Sequence, residues 1–402
     1  MRKKDLFSGK WHLRLKWERI SVKILKNGGV TAPKGFKANG IACGIKRSGK
    51  LDLALIASDT AAVSAGVFTK NSIKAAPLLV SQRHLRHHKT RAIIVNSGNA
   101  NCFTGKFGLI YAERTTEIIG RLLNAPKEEM IVTSTGIIGR PLPFAKIRNG
   151  AGNLVEGLSV SGDTKAAEAI LTTDLKAKTI AVEMALGGKT VTIGSCAKGS
   201  GMIAPDMATM LAFVTTDAAV DSRMLQTALH KAVEQSFNSI TVDGCMSTND
   251  MVVVLANGFA RNRMITQPGK DFDTFCSALN HVCLDLAKKI VLDGEGATKF
   301  IEINVLGAQS HQQARQIGSA IANSNLVKTA AFGSNPNWGR VAAAAGALGI
   351  AKINEQNLKI KFSDFAKKDI QITVGLNLGR AKATVYTSDL SYEYVKINGE
   401  YN

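Results

Sequence analysis

The sequence predicts a mixed α/β (α+β layered) protein. Three observations lead there. Strand-like and helix-like runs alternate along the whole chain. Hydrophobic residues make up 45% and charged residues 20%, the balance of an ordinary globular protein. No internal repeat or low-complexity linker divides the 402 residues, so the alternating elements bury their apolar faces most simply as stacked sheets and helices.

Taken in order, residues 51–57, 61–68, 92–95 and 130–133 are short, apolar and β-prone, and read as strands. Residues 109–123 and 164–171 carry apolar side chains at helical spacing. Further on come a strand over 210–216, a helix over 222–235 with Asp221 as its N-cap and a strand over 251–256. A helix over 274–292, a strand over 300–305 and helices over 311–323 and 340–348 follow. Three short β segments, around Ile360, around Ile372 and over 383–386, close the chain. With no linker between them, the halves are expected to pack tightly together.

Composition excludes several classes. No apolar stretch reaches the roughly 20 residues of a membrane helix; the longest, 341–350, is short and Ala-rich. A soluble protein with no membrane partner is expected. The formal net charge of +20 raises the question of nucleic acid. The basic residues are dispersed, however, and only 6% of residues are aromatic, so no nucleic-acid partner is expected. Part of the excess lies in residues 1–28, where Arg2, Lys3, Lys4, Lys10, Arg14, Lys16, Arg19, Lys23 and Lys26 face only Asp5 and Glu18. This extension reads as a solvated tail, with a surface arm or a mitochondrial transit peptide as alternatives. The six cysteines form no C-x-x-C pair and follow no secretory signal, as in a reducing, cytosol-like compartment. His84, His87 and His88 lie in a strongly basic stretch without a carboxylate or Cys nearby. They read as a solvated turn, and no metal is expected.

The most informative run is 198–211, Lys-Gly-Ser-Gly-Met-Ile-Ala-Pro-Asp-Met-Ala-Thr-Met-Leu. Its Gly, Ser and Pro residues let the backbone bend, and they deliver Thr209 to an apolar strand directly after the small Ala208. That suits a chain that cuts itself at Ala208–Thr209. Once cut, Thr209 carries a hydroxyl nucleophile and a free α-amine of pKa about 7.7–8, its own proton acceptor. An ordinary loop entering a strand has the same composition. A dinucleotide fingerprint at Gly199-x-Gly201-x-x-Ala204 is excluded, because Pro205 and a strand follow where a helix is required.

Four other segments carry chemistry or mimic it. Residues 133–139, Thr-Ser-Thr-Gly-Ile-Ile-Gly, end a strand in a hydroxyl- and glycine-rich turn. Such a turn aims a Thr hydroxyl and a backbone N–H at one point, as an oxyanion hole requires; a plain strand-to-loop turn reads alike. Residues 293–299, Asp-Gly-Glu-Gly-Ala-Thr-Lys, set Glu295 between glycines, suited either to a cationic ligand group or to a solvated turn. Neither this run nor 187–190 has the spacing of a phosphate-cradling loop. The amide-rich loops 96–101 and 334–340 either brace the fold or line a pocket, and residue type does not separate these.

Together with residues 31–36 and 394–398, these segments resemble the ornithine acetyltransferase family of arginine biosynthesis, also called glutamate N-acetyltransferase. The similarity runs from about Gly28 to the end. It implies an αββα-type sandwich of the DmpA-like kind. It also implies autocleavage into an α chain (29–208) and a β chain (209–402) that pair again as an α2β2 heterotetramer. Thr209 is then the nucleophile, and Thr135 with Gly136 the oxyanion hole. Thr172 or Thr173 (Thr172 favoured), Lys198, Thr209, Glu295 and Asn398 would contact substrate. The implied reaction moves the acetyl group from N2-acetyl-L-ornithine to L-glutamate in the cytoplasm, or the mitochondrial matrix if residues 1–28 are a transit peptide. No cofactor is implied; acetyl-CoA enters only as a co-substrate of bifunctional members. A self-cleaving amide hydrolase on the same fold is the alternative. Two departures are the long basic start and the end at Asn402, where the family continues to a substrate-binding hydroxyl residue.

Overall fold

The computed structural model describes residues 22–204, 210–350 and 353–400. Among the described residues the larger sheet contains β1 (Lys23–Leu25), β2 (Phe36–Ile41), β3 (Leu53–Phe68), β4 (Lys89–Asn99), β5 (Met130–Ile137), β6 (Lys178–Leu186), β7 (Lys189–Lys198), β8 (Leu211–Thr216) and β9 (Met251–Ala256). Their order is β1-β6-β7-β8-β9-β3-β4-β5, with β2 also on β3. A smaller sheet of β10 (Phe300–Ala308), β11 (Lys359–Phe362), β12 (Asp369–Gly375) and β13 (Ala381–Ser388) has the order β11-β12-β10-β13.

The pivot of the large sheet is β3. Its first part pairs with β2 and β4, its last part with β9, and the register breaks between Ala57 and Ala62. An irregularity of this kind bends a strand and sharpens its twist, so the two ends of β3 belong to different layers. The side chains show this through their period of two. Ala54, Ile56, Ile93, Val95 and Ile131 share one core with Leu211, Phe213, Met251, Val253 and Leu255. Their neighbours Leu53, Leu55, Ala92, Ile94, Met130 and Val132 face outward, into a core with residues of α1 (Ala76–Leu85), α2 (Gly105–Leu122) and α3 (Phe144–Glu156). On the opposite outer face Ala212, Val214, Val252 and Val254 meet α5 (Ser222–Glu234) and α6 (Lys270–Leu292). The layers therefore run helix, strand, strand, helix, as the family resemblance implied. The short α4 (Asp163–Ala169) packs into the inner core. At the centre of that core Phe213 is fully buried; truncation to Ala there costs about 3–5 kcal/mol.

The smaller sheet packs α7 (His311–Ala322), α8 (Asn325–Phe332) and α9 (Trp338–Gly346) against Ile301, Ile303, Val305, Ile372 and Val385. Tyr386 reaches back into the α5–α6 core, and α10 (Tyr392–Gly399) ends the described chain. Asp221 caps α5 by accepting the Met224 N–H at 2.7 Å, as the sequence predicted.

Three expectations change and one open choice is resolved. Residues 51–57 and 61–68 are one bent strand, because the bulge keeps both halves in the ladder. Residues 23–25, the described end of the basic extension, are not solvated tail but an edge strand paired with β6. His84 is not in a solvated turn; it lies on α1, buried, with Nδ1 hydrogen-bonded to Met130 O at 2.7 Å. The 334–340 loop is structural, since Asn337 caps α9 by accepting the Arg340 N–H at 3.1 Å. All six cysteines are free thiols. Among the described residues no helix is long and apolar enough to cross a membrane.

Candidate active site

The C-terminal ends of the parallel strands β4 and β5 form one wall. Ser97 pairs with Thr135 and Gly98 with Gly136. Gly136 has φ of 131°, and a Cβ there would lie 2.4 Å from the Gly98 carbonyl carbon. Only glycine fits this position. The turn is braced from both sides. Ser134 Oγ donates to Asn96 Oδ1 at 2.6 Å, and Asn249 Nδ2 donates to Ser134 O at 2.8 Å and to Ala100 O at 2.7 Å. Asn99 Oδ1 accepts the Asn101 N–H at 2.8 Å. The amide-rich 96–101 loop is therefore the scaffold of the Thr135–Gly136 turn, and Asn249, just before β9, clamps it to the other sheet layer.

Lys198 ends β7, paired with Leu211 at the start of β8. Its side chain is 3% exposed, and Nζ donates to Thr172 Oγ1 at 2.7 Å. Burial lowers the pKa of this amine, and Lys178 lowers it further; Asp174, Asp250 and Glu295 act against that. Asp174 is the hub of the cluster. Its carboxylate accepts Lys178 Nζ at 2.7 Å, the Gly199 N–H at 2.7 Å and the Thr172 N–H at 3.0 Å, with Lys198 Nζ at 3.8 Å. Burial pushes the Asp174 carboxyl up, but Lys198 and Lys178 outweigh it and hold the group well below the ordinary carboxylate range. Lys178 is shared with Asp293, at 2.6 Å.

From Asp293 the chain turns into the second half of the site. Asp293 O accepts Ser200 Oγ at 2.7 Å, and the Glu295 N–H donates to Ser200 O at 2.9 Å. Glu295, 8% exposed, lies against Gly201 and accepts Asn398 Nδ2 at 2.9 Å. A Cβ on Gly201 would lie 2.2 Å from Glu295 Oε2, so that glycine makes room for the carboxylate. Asn398 comes from α10, at the far end of the chain.

Ala208 and Thr209, like Pro205, Asp206 and Met207, lie outside the described residues. The residues on either side are held by carboxylates. Asp243 accepts the Met202 and Ile203 N–H groups at 2.7 and 2.9 Å, and Asp250 accepts the Met210 N–H at 2.9 Å. Burial pushes the Asp250 carboxyl well above the ordinary range.

Gly136, Thr172 and Thr173 share one open cavity of about 820 Å³, rimmed by Lys46, Arg47 and Arg140. Of the residues singled out in the sequence, the structure joins Lys198 to Thr172 and Glu295 to Asn398. It brings Thr172 and Thr173 to the same cavity as Gly136, beside the buried Thr135. Thr172 rather than Thr173 bonds Lys198. Sequence reasoning passed over Asp174, Lys178, Asp243, Asn249 and Asp250. The available signal was an Asp directly after the Thr172–Thr173 pair and the dense polar run 247–250. Among the described residues no group of His, Cys, Asp and Glu is arranged to hold a metal ion.

The chain matches the ArgJ family model over residues 37–402. It is 46% identical to the arginine biosynthesis bifunctional protein ArgJ of Oceanobacillus iheyensis, over 94% of this chain and 98% of that one. Identity to the protein of the same name from Gloeobacter violaceus is 47%, over 93% and 98%. Among solved structures, ArgJ from Bacillus halodurans is 42% identical with a TM-score of 0.45, covering 48% of this chain and 100% of that one. Near-complete coverage at this identity places the chain in one family: it belongs to the ArgJ family.

Proposed function

We propose that this protein transfers the acetyl group from N2-acetyl-L-ornithine to L-glutamate, giving L-ornithine and N-acetyl-L-glutamate in arginine biosynthesis. The observation that carries the reading is the family membership, since relatives matched over nine-tenths of the chain are named arginine biosynthesis bifunctional proteins. The charge pattern of the site supports it. A buried cation, Lys198, suits a substrate carboxylate, and the carboxylate of Glu295 suits the ornithine ammonium, each through charge-assisted hydrogen bonds.

The chain matures by cleavage at Ala208–Thr209. Thr209 Oγ then attacks the acetyl carbonyl carbon while its proton passes to the new Thr209 α-amine. Thr135 and the Gly136 N–H meet the oxyanion. The C–N bond breaks, ornithine leaves with the proton, and an acetyl-Thr209 ester remains. The neutral glutamate amine attacks this ester, the acyl C–O bond breaks, and the amine's proton passes through the Thr209 α-amine to Thr209 Oγ, so acetylglutamate leaves and the free hydroxyl is restored, a ping-pong sequence. Acetyl-CoA forms the same ester when its thiol leaves, the second activity that "bifunctional" denotes in the relatives' names. The cleaved chains pair as α2β2, the enzyme works in the cytoplasm, and neither metal nor bound cofactor takes part. The α chain spans 29–208 and the β chain 209–402, behind a basic extension over 1–28.

The test is to incubate the purified protein with N-acetylornithine, with and without glutamate, and to quantify acetylglutamate and acetate. Acetylglutamate formed only with glutamate, at the expense of acetylornithine, supports the transferase. Acetate release that ignores glutamate replaces it with an amide hydrolase.

A further inference from the structure

We infer that Asp174 is a positioning residue of this acyl-transfer site: it keeps the Lys198 ammonium charged and aimed at substrate, and fixes Thr172 and the first residue after β7 around it. The inference rests on the proposed reading of Lys198 as the group that holds a substrate carboxylate.

Four observations carry it. Asp174 is buried, and its two oxygens accept the Thr172 N–H, the Gly199 N–H and Lys178 Nζ while facing Lys198 Nζ at 3.8 Å. One carboxylate therefore touches both candidate substrate residues, Thr172 by hydrogen bond and Lys198 by charge, and the start of the connection that leads to Thr209. Lys198 makes its own 2.7 Å bond to Thr172 Oγ1, a neutral partner that aims the ammonium without neutralising it. Its contact with Asp174 is the longer one. A carboxylate at that distance stabilises the cation and leaves its two remaining protons for a ligand, whereas a 2.7 Å ion pair would consume one of them.

The second cation, Lys178, takes the close position instead and is shared between Asp174 and Asp293. Lys178 thus satisfies Asp174 without occupying the face turned to Lys198, and ties the cluster to the chain turn that carries Glu295. A purely structural buried ion pair needs none of this division of labour.

The groups facing Lys198 are Asp174, Lys178, Asp250 and Glu295, with Lys46 across the cavity wall. Burial and the neighbouring lysines oppose its charge; among the carboxylates Asp174 is its leading support. Removing the Asp174 charge therefore lets the Lys198 amine lose its proton at a lower pH. The consequence is a substrate affinity that falls off with rising pH sooner than in the unsubstituted enzyme and is regained at lower pH.

The experiment compares Asp174→Asn and Asp174→Glu with the unsubstituted, cleaved enzyme, reading KM and kcat for N-acetylornithine and glutamate from pH 6 to 9. For Asp174→Asn we expect the rise of KM with pH to begin at a lower pH than in the unsubstituted enzyme, reaching about tenfold to a hundredfold, the loss of one charge-assisted bond, where the Lys198 amine is neutral. The rise should shrink toward pH 6, with kcat within about threefold throughout and with Asp174→Glu restoring the profile. A KM raised by the same factor at every pH, or a loss confined to kcat, overturns the proposal. If Asp174→Asn does not fold, Lys178→Met supplies the reading. It removes the neighbouring cation whose charge repels that of Lys198, so KM must stay flat to a higher pH than in the unsubstituted enzyme; a profile moved to lower pH overturns the proposal. Lys198→Met separates the premise from the inference, because an unchanged KM there removes the carboxylate-holding role itself.

Discussion

Glu295→Gln tests the donor site most sharply. Glu295 is nearly buried, lies on Gly201 and accepts one hydrogen bond from Asn398 Nδ2 at 2.9 Å. Glutamine has the same shape and keeps an oxygen for Asn398, so the fold around it should hold. Only the charge is lost. A hydrogen bond to a charged group contributes about 1.5–3 kcal/mol, and each 1.36 kcal/mol is tenfold in rate. The kcat/KM for N-acetylornithine should therefore fall about 10- to 150-fold. The internal control is N-acetylnorvaline, a donor of nearly the same size without the side-chain ammonium. The unsubstituted enzyme should prefer N-acetylornithine over it by a comparable factor, and Glu295→Gln should bring the preference toward one. Steady-state assays of acetylglutamate with each donor measure this, with mass spectrometry confirming equal cleavage of both proteins. Equal losses on the two donors, or none on either, would show that Glu295 does not hold the ornithine ammonium.

Other outcomes follow from the same geometry. Gly136→Ala puts a Cβ against Gly98 at a φ that L side chains rarely adopt. It should displace the proposed oxyanion donor and lower kcat about 10²- to 10³-fold with little change in KM, measured with saturating glutamate. Asn249→Ala strips Ser134 O and Ala100 O of their shared donor; at about 1–3 kcal/mol per orphaned buried group, a destabilisation of about 2–6 kcal/mol in denaturant titration is expected. Lys328 is deeply buried, and burial lowers its pKa from 10.5 to about 8. Its unfolded form then binds more protons than its folded form between those values. This residue's contribution to stability should therefore rise with pH from about 8 to about 10.5, by at most about 3 kcal/mol. Subtracting the stability–pH curve of Lys328→Met from that of the unsubstituted protein isolates this slope, and a flat difference would contradict it.

Much of the layered fold was legible because its strands are apolar runs of the right length. Residues 210–216 and 251–256 are buried on both faces, 211–216 and 251–256 forming parallel β8 and β9, and such strands read as continuous hydrophobic stretches. The β6–β7 hairpin was missed although Gly187–Gly188, both at positive φ, stand between alternating strands, which is a hairpin signal. The bend in β3 was read as a break between two strands, because a bulge and a loop look alike in one dimension. At the candidate site, glycine-rich local patterns and the family resemblance singled out Thr135, Gly136, Lys198 and Glu295, and the structure places Lys198 on Thr172 and Glu295 on Asn398. Asp174, Asn249 and Asp250 were not singled out. Their roles come from partners far along the chain, Lys198 for Asp174, Ser134 for Asn249 and Met210 for Asp250, and a single sequence does not display such pairings.

The central claim is that one broken peptide bond creates both the nucleophile and its base. Intact-mass spectrometry of catalytically active protein under denaturing conditions tests it directly, with Thr209→Ala alongside. The account requires two polypeptides whose junction is Ala208–Thr209 in the active preparation, and a single uncut, inactive chain for Thr209→Ala. Full acetyl transfer by a preparation containing only the uncut polypeptide would contradict it.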